Sequence, residues 1–394
     1  MNTSSPSMHV RTIPVPPTPA PEKFSINLVA IVMLCAVALV LIACHLFLYW
    51  SFMNFFDISS PTVTLIIQIV GGVLSISFVL TAVFVHMLDN SLTDTLYYGA
   101  SIWLGIGWYV MIACMLTWVL VVLGGWLGIE ISTATIGMSI IHAAVAFSLY
   151  GIWNAYALRV TRITVRVPNL PDSWQGRRAV QLSDIHLGPI LRKKFLASLI
   201  KMTQRENPDI IFITGDVFDG GGADVHDLTL PLNDLRPPLG MYGITGNHEL
   251  FLGLQKSLDA LSHTRVRMLN DEMVEVDGVQ IAGVQYRMRS DAAIAKSVLQ
   301  QSDPSKPLIG LYHEPVLRDI FKEAGVNLQL SGHTHKGQLW PFGWITRLVY
   351  KKYDYGLHTD GSYSIFTSTG VGSWGPPMRT GNRPEIVVIT FQKA

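Results

Sequence analysis

From Phe24 to Leu158 the chain contains no Lys and no Arg. Within that stretch four runs, Ile26–Phe52, Val63–Leu88, Tyr97–Leu123 and Thr133–Leu158, each supply the roughly 20 apolar residues that a helix needs to cross a bilayer. In lipid every backbone polar group must be satisfied within its own segment, so these runs can only be helices. The expectation is an α-helical transmembrane bundle of four spans over residues 24–158. The third run continues through Gly124-Gly125-Trp126-Leu127-Gly128, so its end is set only to within several residues.

The whole-chain figures follow from this one region. Charged residues make up 14% and the mean hydropathy is +0.35, where about 25% charge is usual for a soluble domain. Cys35, Cys44 and Cys114 all fall inside the apolar stretch, which leaves neither a disulfide framework nor a thiolate metal site elsewhere. They read as small apolar packing residues. Residues 1–23 hold Pro14, Pro16, Pro17, Pro19 and Pro21 among Ser and Thr. That composition buries no core and reads as a disordered tail. It lacks the short apolar run and small-residue cleavage site of a signal peptide.

Charge sets the expected orientation. Arg11 and Lys23 precede the first span and Arg159, Arg162 and Arg166 follow the last, whereas Asp57, Asp89, Asp94 and Glu130 are the charges read as lying in the connecting loops. Excess basic residues at both ends place both ends in the cytoplasm, which an even number of spans requires. No acid or base lies well inside a span, so nothing marks an ion path. His45, His86 and His142 are the titratable groups there. A haem or metal role is one reading of them, and neutral imidazoles bonded to neighbouring helices are the other.

From Arg159 onward the chain holds 27 Lys and Arg against 23 Asp and Glu, with no basic stripe that would suit nucleic acid. Ile163–Val167 reads as an edge strand. Lys193–Glu206 reads as an amphipathic helix, with further helical patches at Leu254–Leu261, Ala292–Gln301 and Glu314–Glu323. Strands are expected at Met273–Val284, Leu308–Tyr312, Val326–Leu330, Tyr363–Thr367 and Glu385–Phe391. Helices alternating with short strands imply a layered α/β sandwich over residues 159–394.

Five polar clusters stand in this half, each at the end of an apolar run. They are Asp184-Ile185-His186, Gly215-Asp216-Val217-Phe218-Asp219, Gly246-Asn247-His248-Glu249, His313 in Leu311-Tyr312-His313-Glu314, and Gly332-His333-Thr334-His335. Buried strands breaking into turns would deliver these side chains to one edge of a sheet, where α/β folds place their sites. Carboxylate and amide oxygen with imidazole nitrogen, and no sulfur, suit hard-to-borderline divalent ions.

In order and type the five clusters resemble the calcineurin-like metallophosphoesterase family, over the whole soluble half. The tail from Gly332 to Gln338, with Gly375–Ile386, resembles the branch whose members carry membrane segments. That resemblance implies a four-layer α/β sandwich and two divalent ions, manganese first, with iron or zinc as alternatives. It gives one ion to Asp184, His186 and His335, the other to Asn247, His313 and His333, and makes Asp216 the bridge. It further implies in-line attack on phosphorus by a hydroxide bridging the ions, with His248 serving the leaving oxygen and Asp219 orienting His248.

Lys336 stands where a small residue often follows in the family, and it and Arg379 are candidate phosphate contacts, with ordinary surface roles as the alternative. Leu339–Tyr353 mixes Trp340, Phe342, Trp344 and Tyr350 with Arg347, Lys351 and Lys352. Such a mixture suits a membrane interface; packing on the sandwich or on the helices is the alternative. The readings that remain are a membrane-anchored phosphoesterase acting on a diester, diphosphate or monoester, including lipid-linked ones, a UDP-diacylglucosamine diphosphatase, and a silent membrane scaffold. A reporter fused after Ala394 is expected to signal from the cytoplasm; a signal from the opposite side would overturn the charge-based orientation.

Overall fold

The computed structural model describes residues 28–88, 90–219, 225–288 and 292–394. The Pro-rich segment 1–23, with Arg11 and Lys23, and Asp89 lie outside them. Four helices come first: α1 (Leu28–Phe55), α2 (Pro61–Met87), α3 (Ser91–Trp126) and α4 (Thr133–Ala155). All four are long and apolar enough to span a membrane, so the chain is a membrane protein. Pro61 opens α2, where its missing N–H costs nothing. Asn90 caps α3 by accepting from Leu92 N and Thr93 N, at 3.0 and 3.1 Å. That cap starts the helix early enough to bring Asp94, expected in a loop, into its first turn, where it is buried and its charge meets the positive helix end.

His45 is bonded on both nitrogens. Nδ1 donates to Leu41 O at 2.8 Å, and Nε2 accepts from Trp103 Nε1 of α3 at 2.9 Å. One donor and one acceptor make it a neutral imidazole joining two helices. His142 donates to Met138 O in its own helix at 2.8 Å. The helical unit also includes Gly375–Thr380. Arg379 N donates to Gly151 O at 2.9 Å, Asn154 Nδ2 donates to Arg379 O at 2.8 Å, and the Tyr109 and Thr380 hydroxyls are hydrogen-bonded.

The second unit holds residues 157–374 and 381–394. In chain order its elements are β1 (Arg159–Val167), β2 (Arg178–Leu182), α5 (Lys193–Arg205), β3 (Ile210–Thr214), α6 (Val225–Thr229), β4 (Met241–Ile244), α7 (Asn247–Leu252), α8 (Leu254–Ser262) and β5 (Val266–Met268). There follow β6 (Glu272–Val276), β7 (Val279–Gly283), α9 (Ala292–Leu299), β8 (Leu308–Leu311), α10 (Arg318–Glu323), β9 (Leu328–Ser331), α11 (Gly343–Tyr350), β10 (Gly356–Asp360), β11 (Tyr363–Thr367) and β12 (Glu385–Lys393).

Two six-stranded sheets result, β1-β12-β2-β3-β4-β5 and β10-β11-β9-β8-β7-β6. The period of two along the strands sorts their side chains into layers. Ala179, Ile210 and Phe212 of the first sheet share a core with Ile281, Ile309, Leu328 and Phe366 of the second. Their neighbours Val180, Ile211 and Ile213 face Leu196 and Leu199 of α5. Ala282, Leu308 and Ile365 turn the other way, against Val298 of α9 and Phe321 of α10. The order is helix, sheet, sheet, helix: the expected four-layer sandwich.

Two elements differ from expectation. Met273–Val284 is a hairpin rather than one strand, because Asp277 and Gly278 both take left-handed φ, 46° and 83°, the two-residue turn that Asp-Gly favours. The helix expected from Glu314 starts only at Arg318. Pro315 disfavours helical geometry at Glu314, and Leu317 sits at φ 57°. β5, β10, α6, α7 and α11 were not anticipated.

Trp174 is fully buried, stands edge-on to Phe391 of β12 at 5.2 Å and donates from Nε1 to Val276 O of β6 at 3.1 Å. It therefore pins one sheet to the other. Trp174→Ala is expected to destabilise this unit by about 3–5 kcal/mol, read as a lowered denaturant midpoint; an unchanged midpoint would rule out that role.

Candidate metal centre

Every predicted ligand lies just past the C-terminal end of a strand. Asp184 and His186 follow β2, Asp216 follows β3, Asn247 follows β4, His313 follows β8, and His333 and His335 follow β9. β2, β3 and β4 run parallel, as do β8 and β9, so these ends collect along one edge of the sandwich.

The donor atoms form two groups. In the first, His186 Nε2 is 3.0 Å from His335 Nε2, which is 3.3 Å from Asp184 Oδ1. In the second, Asn247 Oδ1 lies 2.8 Å from His333 Nδ1 and 3.2 Å from His313 Nε2, and those two nitrogens are 3.3 Å apart. Asp216 Oδ2 stands between the groups, 3.2 Å from His313 Nε2 and 4.0 Å from His186 Nε2. Metal bonds of about 2.0–2.2 Å set neighbouring donors roughly 3.0–3.5 Å apart around a tetrahedral or octahedral ion. The residues present therefore fit a divalent ion in each group.

The imidazole tautomers point the same way. His313 Nδ1 donates to Thr214 O at 2.7 Å, which turns the Nε2 lone pair toward Asp216 and Asn247. Glu314 Oε1 lies 3.4 Å from His333 Nε2 and also accepts from Tyr286 OH at 3.0 Å, leaving His333 Nδ1 for the cluster. Asp219 Oδ1 stands 3.5 Å from His186 Nδ1 and 3.9 Å from His248 Nδ1, so one carboxylate faces both rings.

A family model described as calcineurin-like phosphoesterase matches residues 177–337. An uncharacterized metallophosphoesterase of Aquifex aeolicus is 37% identical over 262 residues, which cover 63% of this chain and 97% of that protein. This chain belongs to the calcineurin-like phosphoesterase family. Among other relatives, the uncharacterized metallophosphoesterase YkuE of Bacillus subtilis is 32% identical, covering 60% of this chain and 86% of that one. A transmembrane protein with metallophosphoesterase domain from Danio rerio is 30% identical over 63% of this chain, and the match spans 60% of that relative's length.

As a member of that family, the phosphoesterase is a metal-dependent hydrolase of phosphoric esters. Charge is balanced within its site. Burial alone would raise the Asp216 carboxyl, but His313, then His248 and His186, hold it well below the usual range. Asp184 is likewise lowered against burial, chiefly by His335. Burial would lower His313, but Asp216 and then Asp184 raise it to about 10. His333 is lowered to about 4, first by burial and then by the positive His313. A proton on His313 would occupy the place of a metal ion held there, so the two would compete.

Two residues were candidate phosphate contacts. Lys336 Nζ lies over the Tyr355 ring at 4.5 Å. Arg379 is buried within the helical unit.

Sequence reasoning assigned no role to Glu249. Its buried carboxylate accepts from four backbone N–H groups: Gly246 at 2.6 Å, Asp216 at 2.9 Å, Val217 at 2.8 Å and Phe218 at 3.2 Å. It binds the loop after β3 to the loop after β4. Burial and then Asp216 raise its pKa to about 7, while the N–H groups of Gly246 and Phe218 pull it down. The visible signal was Gly246-x-x-Glu249, the spacing of a capping box. A side chain at Gly246 would collide with the Asp216 carboxylate and the His313 ring, so glycine is required by close approach.

Glu249→Gln keeps the shape and puts an amide where only acceptors fit. It is expected to weaken metal binding about 10–100-fold with the fold retained by circular dichroism; an unchanged metal titration would remove Glu249 from the site's support.

Proposed function

We propose that the chain is a membrane-anchored phosphoesterase working with two divalent ions. Asp184, His186 and His335 would hold one ion, Asn247, His313 and His333 the other, and Asp216 would serve both. The observation that carries this reading is the position of Asp216 Oδ2, between two donor groups whose internal separations match metal coordination. When bound, such ions lower the pKa of a water and neutralise phosphoryl oxygens. Manganese, iron or zinc satisfies this O and N donor set.

The chain's own groups would do the rest. His248 is the imidazole of the site outside both donor groups, 4.6 Å from the His186 ring and edge-on to it. We assign it the proton for the departing oxygen. Burial, then the neighbouring His186, lower its pKa, which makes the imidazolium a stronger acid and a smaller fraction of the population at neutral pH. Asp219 faces the Nδ1 side of His248, an orientation that leaves Nε2 for the substrate. Main-chain N–H groups fix the ligands: His248 N donates to Asp216 Oδ1 at 2.9 Å and His333 N to Asp184 Oδ1 at 3.0 Å. Both chain ends, and with them the site, are proposed to lie in the cytoplasm. A silent scaffold is disfavoured because the whole ligand set is present.

The test is hydrolysis of a soluble chromogenic phosphodiester and a monoester by the full chain with Mn²⁺. Chelation should abolish turnover and added Mn²⁺ restore it. Asp216→Ala is expected to lose both metal and activity, whereas His248→Ala should keep the metal and lose roughly 10²–10⁴ in rate. Wild-type turnover in Asp216→Ala would overturn the shared-ligand assignment.

A further inference from the structure

Helix α11 follows eight residues after the last proposed ligand, His335, and none of its side chains is buried. Trp344 is 71% exposed, Ile345 56%, Leu348 81% and Val349 62%. At about 100° per residue these four side chains fall within roughly 140° of the helix circumference. Tyr350 falls on the opposite side, and its ring stands edge-on to His333 at 6.1 Å. Arg347 lies at the flank, paired with Asp354 at 3.3 Å yet largely exposed. Lys351 and Lys352 follow, both exposed. Trp340, 43% exposed, extends the stripe by stacking edge-on to Trp344 at 5.9 Å. The helix is therefore a wedge with one face on the metal centre and an apolar, tryptophan-rich face presented outward beside three cations.

We propose that this outward face docks on the surface of the bilayer that the chain's own helices span. A stripe of Trp, Ile, Leu and Val edged by Arg and Lys is the composition of a helix lying at headgroup depth, with rings at the interface and cations against anionic lipid. The occupant is within reach by covalent structure alone. Only Tyr156–Leu158 separate α4 from β1, about 10 Å of extended chain. Nothing in the catalytic unit needs this face for its core: its side chains belong to none of the hydrophobic clusters of the sandwich. A second exposed ring, Phe251 at 58%, stands 5.5 Å from His248, so an exposed apolar side chain also adjoins the proposed proton donor. Resting on the two-metal reading above, the docking names the substrate class: a phosphate ester whose apolar part stays in the membrane while its phosphoryl group reaches the site.

The test uses the full chain in lipid nanodiscs, with Cys35, Cys44 and Cys114 replaced by Ser. An environment-sensitive fluorophore is attached at Leu348→Cys or, as a control on α5, at Lys201→Cys. Lipids carrying a nitroxide near the glycerol end of the acyl chain are expected to quench the label at 348 several-fold more than the label at 201. The difference should grow with phosphatidylglycerol content and shrink with salt. Equal quenching at both positions overturns the proposal. So does a dimer, seen by mass photometry, that Trp344→Asp with Leu348→Asp breaks apart, because a second copy would then be the occupant. That double variant replaces no buried side chain. It should cut turnover of a bilayer-embedded phosphate ester about tenfold and leave a soluble phosphodiester within about twofold. Equal loss on both substrates overturns the substrate class. Failure of the wild-type chain on every ester would instead sink the two-metal reading, while the quenching result would still decide the docking.

Discussion

The edge that carries the candidate metal ligands depends on one buried carboxylate surrounded by main-chain donors. Glu249 receives the N–H groups of Gly246, Asp216, Val217 and Phe218. Without it four buried donors would be orphaned, each at a cost of about 1–3 kcal/mol. The bonds run across two loops from adjacent parallel strands, and Asp216 returns one by accepting from His248 N. The side chains proposed to carry the chemistry are thus set by backbone that Glu249 holds.

The same lacing supports backbone strain. Asp184, His186, Asp216, His333 and His335 all have left-handed φ, between 46° and 69°. A non-glycine residue held in that region costs on the order of 1–3 kcal/mol and persists only where its surroundings over-determine it. Here they do. Asp184 N donates to Gly215 O, His186 N to Asp216 O and His333 N to the Asp184 carboxylate. Each ligand loop is fixed by another ligand loop, so the strain turns side chains inward that a relaxed strand end would spread apart. Metal binding would add to this coupling, since an ion would displace the proton that Asp216 and Asp184 favour on His313.

The membrane helices answer a different constraint, the absence of water. His45 illustrates the solution, its two nitrogens bonded to Leu41 O and Trp103 Nε1, which leaves no charge in lipid. Asn90 and Ser132 satisfy helix-start N–H groups from their side chains. Helix α3 has 36 residues, about 54 Å at 1.5 Å per residue, well beyond the roughly 30 Å of hydrocarbon. Length alone therefore leaves part of it outside the bilayer core.

The sequence by itself determined the four spans, the alternation of strands and helices, and the types of residue at each strand end, because hydrophobic runs and their periods are local properties. It also carried the family resemblance that the comparisons bear out. Tertiary structure alone decided which candidate ligands meet, since Asp184 and His335 are 151 positions apart yet their donor atoms lie 3.3 Å from each other. It decided that Asp219 faces two rings, that Glu314 orients His333, and that Glu249 holds two loops together; none of these partners is near in sequence to all that it touches. It split Met273–Val284 into a hairpin through two left-handed residues, a matter of backbone angle that an apolar pattern does not record. And it left the apolar face of α11 uncovered. A run of Trp, Ile and Leu reads the same whether it packs inward or faces out, because hydrophobicity states a preference for burial and only the neighbouring elements supply the partner.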